Sequence, residues 1–291
     1  MTEAAGVRSA GGLWAGALGR MSRDRAAVVS AGVIVAIAVL AVFGPMLIPF
    51  PQDALDWQHI ASPPQFSSGH WLGTDRLGRD LLVRTLHGVR ISLVIGLLAT
   101  LVSLAIGVTW GAAAGYIGGR TDELLMRTVD VLYTLPYIFI VIILSTLFAR
   151  GNVYVLFIAI GAVGWLTMAR IVRGQTLSLK RREFVEAAVV TGAGRGAIVA
   201  RHIVPNLIGP VVVYATLTIP QLILYESFLS FLGLGVQEPL ASLGSLINLG
   251  AREIESAPWM LLVPGGFLVV LLICFNFLGD ALRDALDPHE R

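Results

Sequence analysis

The fold of this chain is decided by an uncharged run, Ala26–Ile48, which reads AAVVSAGVIVAIAVLAVFGPMLI. A helix needs about 20 mostly apolar residues to cross a hydrocarbon core of roughly 30 Å. Arginines precede the run, as in a secretory signal, but the run is too long for a signal peptide, and the proline-rich stretch Phe43–Pro51 offers no cleavage site. We interpret the run as an uncleaved first membrane span.

Five further apolar runs follow along the chain. They are continuously apolar rather than alternating, which favours helices over barrel strands. The fifth carries Pro205, Pro210 and Pro220, so we expect a broken or kinked helix there. The sequence predicts an all-α integral membrane protein with six transmembrane helices, at Ala26–Ile48, Ile91–Ile117, Val129–Ala149, Val153–Ala169, Ile203–Leu234 and Pro258–Leu278.

Composition excludes several other classes of protein. Of 291 residues, 56% are hydrophobic and only 14% are charged, and the mean hydropathy is +0.78, which is too apolar for an ordinary water-soluble enzyme. The net charge is only +2 and the basic residues are dispersed, so we expect no nucleic-acid partner. Because Cys274 is the single cysteine, an internal disulfide and a cysteine-based zinc cluster are both excluded.

The distribution of basic residues predicts the orientation in the membrane. With the N-terminus inside, the cytoplasmic segments carry 15 of the 21 arginines and lysines. We therefore expect both termini in the cytoplasm. The predicted division of the chain is a cytoplasmic N-terminal segment (1–25), a first transmembrane helix (26–48), an extracytoplasmic segment (49–90, the outer segment), a five-helix core (91–282) and a cytoplasmic tail (283–291).

Motifs for catalysis are missing from the sequence. There is no G-x-x-x-x-G-K-[ST] loop for a nucleotide phosphate, no H-E-x-x-H pair for zinc and no G-x-S-x-G around a serine nucleophile. We expect a non-catalytic protein with no catalytic residue, metal or cofactor on this chain. Any active work must then draw its energy from a partner or from an ion gradient.

A cytoplasmic stretch within the predicted core, residues 180–202, is termed the coupling segment. Glu186-Ala187-Ala188 favours a helix, and Gly192 and Gly194 are expected to end it in a tight turn. The two small alanines would permit close approach to a partner, with Glu186 offering a charge. The alternative is a solvated loop on the inner leaflet, where Arg181 and Arg182 meet anionic lipid.

The same segment carries a recognisable signature. Glu186-Ala187-Ala188, then Gly192, then His202-Ile203-Val204-Pro205 resembles the E-A-A-x3-G-x9-I-x-L-P pattern of bacterial ABC importer permeases. In the peptide-importer branch the end of this pattern reads R-H-I-L-P-N, and here Val204 replaces the leucine.

Three other stretches resemble the C-type permease subunit of dipeptide and oligopeptide ABC importers. They match L-G-T-D-x-x-G-R-D at 72–80, E-x-x-L-S-F-L-G-L-G at 226–235 and N-x-L-G-D-x-L-R-D-x-L-D-P at 276–288, in family order. One departure follows Gly235: the family often reads V-Q-P-P-x-P-S-W-G, whereas this chain reads VQEPLASLG. We expect a looser loop there, with altered contacts to a binding protein or substrate.

The resemblance implies an ABC type I importer permease fold in the bacterial inner (plasma) membrane, importing dipeptides or oligopeptides. It implies a homologous second permease, two cytoplasmic ATPases that bind ATP and magnesium, an extracytoplasmic peptide-binding protein and surrounding lipid. It also implies that residues 183–202 dock into an ATPase. The predicted coupling residues are Glu183, Glu186, Ala187, Ala188, Gly192, Gly194, His202 and Pro205.

Within the spans, Glu226 is the foremost candidate for the translocation pathway or gate, because an intramembrane carboxylate is costly and therefore a functional candidate. The alternative is a structural hydrogen bond to a neighbouring helix or to the partner permease. Tyr133 and Tyr137 are further pathway candidates, although spanning aromatics commonly serve packing. We expect Pro136 to kink the third span and Asp130 to pair with Arg127.

In the outer segment, Asp75, Arg79 and Asp80 are candidates for structural pairs or for binding-protein contact. We favour a loop held by pairs with Arg76, Arg79 or Arg84. Two alternatives remain for the whole chain: the same fold importing nickel complexes or another small solute, or a self-contained secondary carrier or channel. The carrier would need an ion path of intramembrane charges, and Glu226 alone is offered.

Overall fold

The computed structural model describes residues 10–147 and 153–286, and within them the regular structure is helical. In the described ranges, strand-like pairing is limited to an isolated bridge between Thr74 and Asp80. The helices are α1 (Ala10–Met21), α2 (Arg25–Leu47), α3 (Leu81–Ile117), α4 (Gly119–Thr134), α5 (Tyr137–Leu147), α6 (Val153–Leu179), α7 (Glu183–Val190), α8 (Arg195–Ile198), α9 (Val204–Phe231), α10 (Leu243–Ala251) and α11 (Trp259–Leu286), with a π-helical turn at Val199–Ile203.

The helices agree with the predicted number of membrane spans. Five are long and apolar enough to cross a membrane, and the pair α4 and α5 makes a sixth if it is counted as one bent span. The prediction of an all-α, multi-span protein is confirmed. The predicted end of the third span at Ala149 and the last five residues of the predicted tail lie outside the described residues.

Several helices extend beyond their apolar runs. Helix α3 begins at Leu81, ten positions before the predicted Ile91, because the Asp80 carboxylate caps it by accepting a hydrogen bond from the Val83 N–H at 2.8 Å. Helix α6 continues to Leu179, well past Ala169. The apolar runs therefore predicted where the spans lie, but they did not predict the polar turns by which the helices extend beyond the runs.

Prolines act differently in the third and fifth spans. At Pro136 the chain bends by 89° between α4 and α5, which confirms the predicted kink. A broken or kinked helix was expected in the fifth span; helix α9 is continuous through Pro210 and Pro220, so it is not broken there. Pro205 directly follows the π-helical turn at Val199–Ile203, and prolines inside a helix are tolerated where neighbouring helices surround a span.

The centre of the bundle is the pair of α3 and α6, which run parallel: Ala99 lies beside Gly161 and Gly115 beside Thr176. Gly107, Gly111 and Gly115 lie one turn apart on α3, and a side chain at any of them would collide with α6. At Gly111, for example, an added Cβ would lie 2.4 Å from the Ala169 carbonyl oxygen. The glycines thus allow the two backbones to approach closely, as small residues do between membrane helices.

The two described ends of the chain lie at the same end of the bundle. The Arg20 guanidinium on α1 donates two hydrogen bonds to the Ala285 carbonyl of α11, one of them at 2.9 Å. At the same end, Lys180 donates to the Tyr116 carbonyl at 2.6 Å. Trp259 Nε1 donates to the Thr74 carbonyl at the opposite end. The coupling segment therefore lies at the end that carries α1, and the outer segment at the other.

Candidate functional site

The coupling segment is fastened to the bundle along one side. Val185 and Ala188 of α7 are buried, and they join Ile198, Ile203 and Leu207 in an apolar cluster. The same cluster includes residues from the ends of α3 and α6: Ala112, Tyr116, Met168 and Val172. Burial on this side orients α7 so that its remaining residues face outward.

Helix α7 ends in a Schellman turn. The Ala193 N–H donates to the Ala188 carbonyl at 3.1 Å, and the Gly192 N–H donates to the Val189 carbonyl at 3.0 Å. Gly192 has φ +80°, which confirms the predicted tight turn. Gly194 has φ −66°, a conformation open to any residue, so the prediction that Gly194 also supplies the turn is wrong.

The second half of the coupling segment is continuous with a membrane span. Helix α8 runs through the π-helical turn into α9, and residues Arg195–Phe231 form one long helix. His202 is half-buried in the π turn, and Pro205 is exposed in the first turn of α9. No non-helical residue separates α8 from α9.

The outward side of α7 combines acidic and apolar groups. Glu183, Glu186 and Ala187 are exposed, and so are the apolar Val189 and Val190, the latter at 87%. Ala188 does not belong to this surface, which corrects the expectation that both alanines approach a partner. The outward side of α7 therefore presents two carboxylates next to two exposed valines.

A cavity of about 360 Å³ lies where α4 breaks from α5, at mid-length of α6 and α9. Tyr133 and Tyr137, both predicted pathway candidates, line it. The Tyr137 ring packs on Tyr225 with centroids 4.3 Å apart, and its hydroxyl donates to the Ile160 carbonyl at 3.3 Å. The helix break thus opens a pocket with tyrosine hydroxyls inside a largely apolar bundle.

Tyr133 is held at the edge of this cavity by two contacts with α6. Its hydroxyl hydrogen-bonds the Thr167 hydroxyl at 2.6 Å, and the Arg170 guanidinium lies 4.1 Å from the centre of its ring. Arg170 also donates to Asp130 at 2.7 Å, so the prediction that Asp130 pairs with Arg127 is wrong. The tertiary fold brings Arg170 nearer than the local i,i+3 neighbour.

Gln221 is a cavity residue that the sequence analysis missed. It lies on α9 with an exposed side chain, and within the described part of the chain its amide has no hydrogen-bond partner. A free amide is costly in an apolar environment unless water or a ligand reaches it. The signal was available as an amide residue in the middle of the fifth apolar run, between Pro220 and Leu222.

Glu226 lies one turn further along α9 but does not line the cavity. It is completely buried and accepts hydrogen bonds of 2.7 Å from the hydroxyls of Ser92 on α3 and Ser230 on α9. Ser92 Oγ in turn accepts from the Leu243 N–H, and Ser230 Oγ from the Val236 N–H. This geometry favours the structural alternative predicted for Glu226, a hydrogen bond to a neighbouring helix.

The outer segment is held by a buried ionic network. Asp75 accepts from Arg79 Nε at 2.7 Å and from the Arg84 guanidinium, and both arginines also donate to Glu238, at 3.0 and 3.2 Å. Burial alone would raise the pKa of the Asp75 carboxyl, but the positive charge of Arg84 and the contacts with Arg79 outweigh it and place the pKa below its ordinary 3.8. The favoured structural role of Asp75 and Arg79 agrees with this network.

Glu238 stands where the family pattern breaks, so the network also concerns the loop after Gly235. A looser loop was expected there because family prolines are missing. The structure instead ties Glu238 to the start of α3 through Arg84, and Ser242 caps α10 with a reciprocal capping box with Ser245. The carboxylate at 238 thus supplies ion pairs that a proline could not, and the expectation of a looser loop stays a prediction.

Comparisons with known proteins cover nearly the whole chain. A family model described as "Binding-protein-dependent transport system inner membrane component" matches residues 107–291, and one described as "N-terminal TM domain of oligopeptide transport permease C" matches residues 12–64. The oligopeptide transport system permease protein OppC of Escherichia coli K12 is 55% identical over 279 residues, covering 96% of this chain and 92% of the relative.

Other relatives give the same result. OppC of Haemophilus influenzae is 51% identical, with 96% of this chain and 89% of the relative covered, and the dipeptide transport system permease protein DppC of Bacillus subtilis is 44% identical, with 94% and 84% covered. Among solved structures, an inward-facing MetNI methionine ABC transporter matches with a TM-score of 0.56 at 17% identity, covering 70% of this chain and 96% of that chain. This last likeness concerns the fold alone.

Proposed function

Because this chain belongs to the binding-protein-dependent transport system inner membrane components, in their oligopeptide-permease branch, we propose how its parts contribute to import. The chain is a multi-pass inner-membrane permease of an ABC importer for peptides, and relatives of 51–55% identity over 96% of its length carry that conclusion. The nickel-complex importer and the self-contained carrier are not favoured, since the relatives are named as oligopeptide and dipeptide permeases.

The coupling segment is proposed to be the part of this chain that binds an ATPase subunit. Exposed Glu183, Glu186 and Ala187 would enter a groove of that subunit, while Val185 and Ala188 keep α7 fixed to this chain. Closure of the ATPases would then push α8, and the continuous helix would carry the movement into α9. The observation that supports this lever most directly is the unbroken helix Arg195–Phe231.

The orientation follows from this assignment and from charge. The ATPases bind ATP and magnesium in the cytoplasm, so the end of the bundle that carries the coupling segment is proposed to be cytoplasmic. The excess of basic residues in the same segments supports this side. The contact of Arg20 with Ala285 supports placing both termini there.

The cavity is proposed to be this chain's half of the translocation pathway. It lies halfway along α6 and α9, and it offers the hydroxyls of Tyr133 and Tyr137 and the unpaired amide of Gln221. Such groups can hydrogen-bond a peptide backbone irrespective of its side chains, which suits a carrier of varied peptides. A homologous second permease would supply the facing half.

The other partners are proposed because the chain belongs to the binding-protein-dependent permeases. A peptide-binding protein would deliver cargo at the outer segment, where exposed Arg76 pairs with Glu253. This chain is proposed to perform no chemistry itself, and its partners would hydrolyse the ATP.

The test is reconstitution in lipid vesicles with and without the partner subunits. The complete complex, with a peptide-binding protein outside and ATP at the ATPases, should accumulate labelled peptide and hydrolyse ATP faster when peptide is added. This chain alone should accumulate nothing. Accumulation by the isolated chain would exclude the proposed division of labour, and a complete complex indifferent to peptide would exclude the peptide cargo.

A further inference from the structure

Three side chains of the outer segment lie close together and do not belong to the ionic network. One ligand atom from each of Asp56, His59 and His70 lies within 4.8 Å of the other two. Asp56 Oδ2 is 2.8 Å from His59 Nδ1 and 3.4 Å from His70 Nε2. We propose that this cluster is a binding site for a divalent transition metal ion of the zinc type, on the outer end of the permease.

His70 is prepared for metal binding by the groups behind it. Its Nδ1 lies 2.8 Å from Asp80 Oδ2, and both side chains are almost fully buried. The Phe50 ring stacks on the imidazole with centroids 4.3 Å apart. A histidine that ligates a metal nearly always donates its other ring N–H to a carboxylate or carbonyl, which fixes the tautomer and the direction of the free nitrogen.

The two carboxylates on either side of His70 make the cluster suited to a cation. Asp80 already accepts from the Val83 N–H, and as a carboxylate it takes the Nδ1 proton of His70 as a second donor. The Nε2 of His70 lies 3.4 Å from Asp56 Oδ2, so a cation between these two atoms, either a proton on the imidazole or a metal ion, is held by both of them.

The distances suit zinc with a small adjustment. Zinc binds nitrogen and oxygen at about 2.0–2.2 Å in a tetrahedron, so neighbouring ligand atoms lie roughly 3.3–3.6 Å apart. The His70–Asp56 distance already falls in this range. His59 must withdraw by a few tenths of an ångström, and it is free to do so because His59 and Asp56 are each about one-third exposed. The same exposure leaves a way in for the ion and for a water ligand.

A metal here would have a structural consequence. Between α2 and α3 the described chain has no helix. The Asp56 carbonyl accepts a hydrogen bond from the His59 N–H at 3.2 Å and lies close to Gly78, where an added Cβ would be 2.0 Å from it. An ion would join residues 56–59 to His70 and, through Asp80, to the first turn of α3. This differs from the expectation of no metal, because the D-x2-H-x10-H spacing matches no standard ligand motif.

The experiment uses the full chain in lipid nanodiscs, freed of metal with a chelator and titrated with Co²⁺ and then Zn²⁺. Wild type should bind one equivalent of Co²⁺ with visible d–d absorption, and Zn²⁺ should displace it. His59→Asn and Asp56→Asn should each weaken binding by about tenfold or more. His87→Gln, a histidine on α3 outside the cluster, should bind as wild type does.

X-ray absorption of the zinc-loaded wild type gives a measurement that does not depend on any variant folding. The expected first shell contains two imidazole nitrogens and oxygen ligands. A shell without imidazole, less than one equivalent bound by wild type, or an equal loss in His87→Gln would each overturn the proposal. None of these results bears on peptide import, so they leave the proposed function untouched.

Discussion

Ser92 of α3 donates a 2.7 Å hydrogen bond to the fully buried carboxylate of Glu226 on α9, joining two helices 134 residues apart in sequence. With Ser230 as a second donor, the carboxylate connects α3, α9 and the segment that leads into α10. Glu226→Ala should therefore lower the free energy of unfolding by about 1–3 kcal/mol, because both serines lose their buried partner. Thermal unfolding in detergent measures this loss.

The same variant separates the two predicted roles of Glu226. A structural role predicts that Glu226→Ala is less stable but that its folded fraction has an unchanged KM for peptide. The stability of Glu226→Gln should lie between those of wild type and Glu226→Ala, because an amide keeps the shape of the carboxylate. Glu255→Gln, which alters an exposed carboxylate of the outer loop, is the matched control. A changed KM without loss of stability would instead place Glu226 in the pathway.

The acidic side of α7 gives a second prediction. Glu186→Lys reverses an exposed charge that makes no contact within the described chain, so folding should be unaffected while peptide uptake by the complete complex falls at least about tenfold. That fall corresponds to about 1.4 kcal/mol of lost coupling. Co-purification of the ATPases reports the docking directly. Full uptake and full ATPase recovery would disprove the lever.

A third prediction uses the different conformations of two glycines in the coupling segment. Gly192 has φ +80°, so Gly192→Val should strain the Schellman turn by about 1–3 kcal/mol and displace α7, lowering uptake. Gly194→Ala is the matched control, since Gly194 has φ −66° and nothing within 4 Å of an added Cβ. The prediction fails if the two variants transport equally well.

The cavity supplies a fourth prediction. Gln221→Leu removes an amide that has no partner within the described chain, so stability should hold or rise slightly, while uptake should fall by about tenfold if the amide bonds the peptide backbone. Gln175→Leu, an exposed glutamine on α6 outside the cavity, serves as control. Equal uptake by the two variants would remove Gln221 from the pathway.

Local patterns predicted the elements that depend on composition. Runs such as Ala26–Ile48 located the spans because burying a helix in lipid needs only length and apolarity. Pro136 was rightly expected to kink the third span. At Pro210 and Pro220 the helix is not broken, because α9 is packed between α3 and α11 and a break there would leave more backbone groups unpaired than the prolines do.

Contacts between segments that are distant in sequence could not be predicted from the sequence alone. Asp130 pairs with Arg170 rather than with Arg127, and Glu238 reaches Arg79 across 159 residues. Ala188 belongs to the buried side of α7, which depends on where α3 and α6 end. Each error has the same cause: which of several compatible partners a side chain meets is decided by helix packing, and packing is not encoded in spacing along one helix.

The ionic network at Asp75 leads to a fifth prediction, on pH. Because the pKa of Asp75 in the folded chain lies below its ordinary 3.8, the ionised carboxylate stabilises the fold above that value, and the contribution disappears as pH falls through the folded pKa. Asp75→Asn leaves buried Arg84 with Glu238 alone and should cost about 3 kcal/mol near neutrality. The difference in melting temperature from wild type should therefore shrink below pH 3.8. Asp53→Asn, at an exposed carboxylate, should show no such trend. A difference between wild type and Asp75→Asn that stays constant on acidification would mean that the charge of Asp75 contributes nothing to the network.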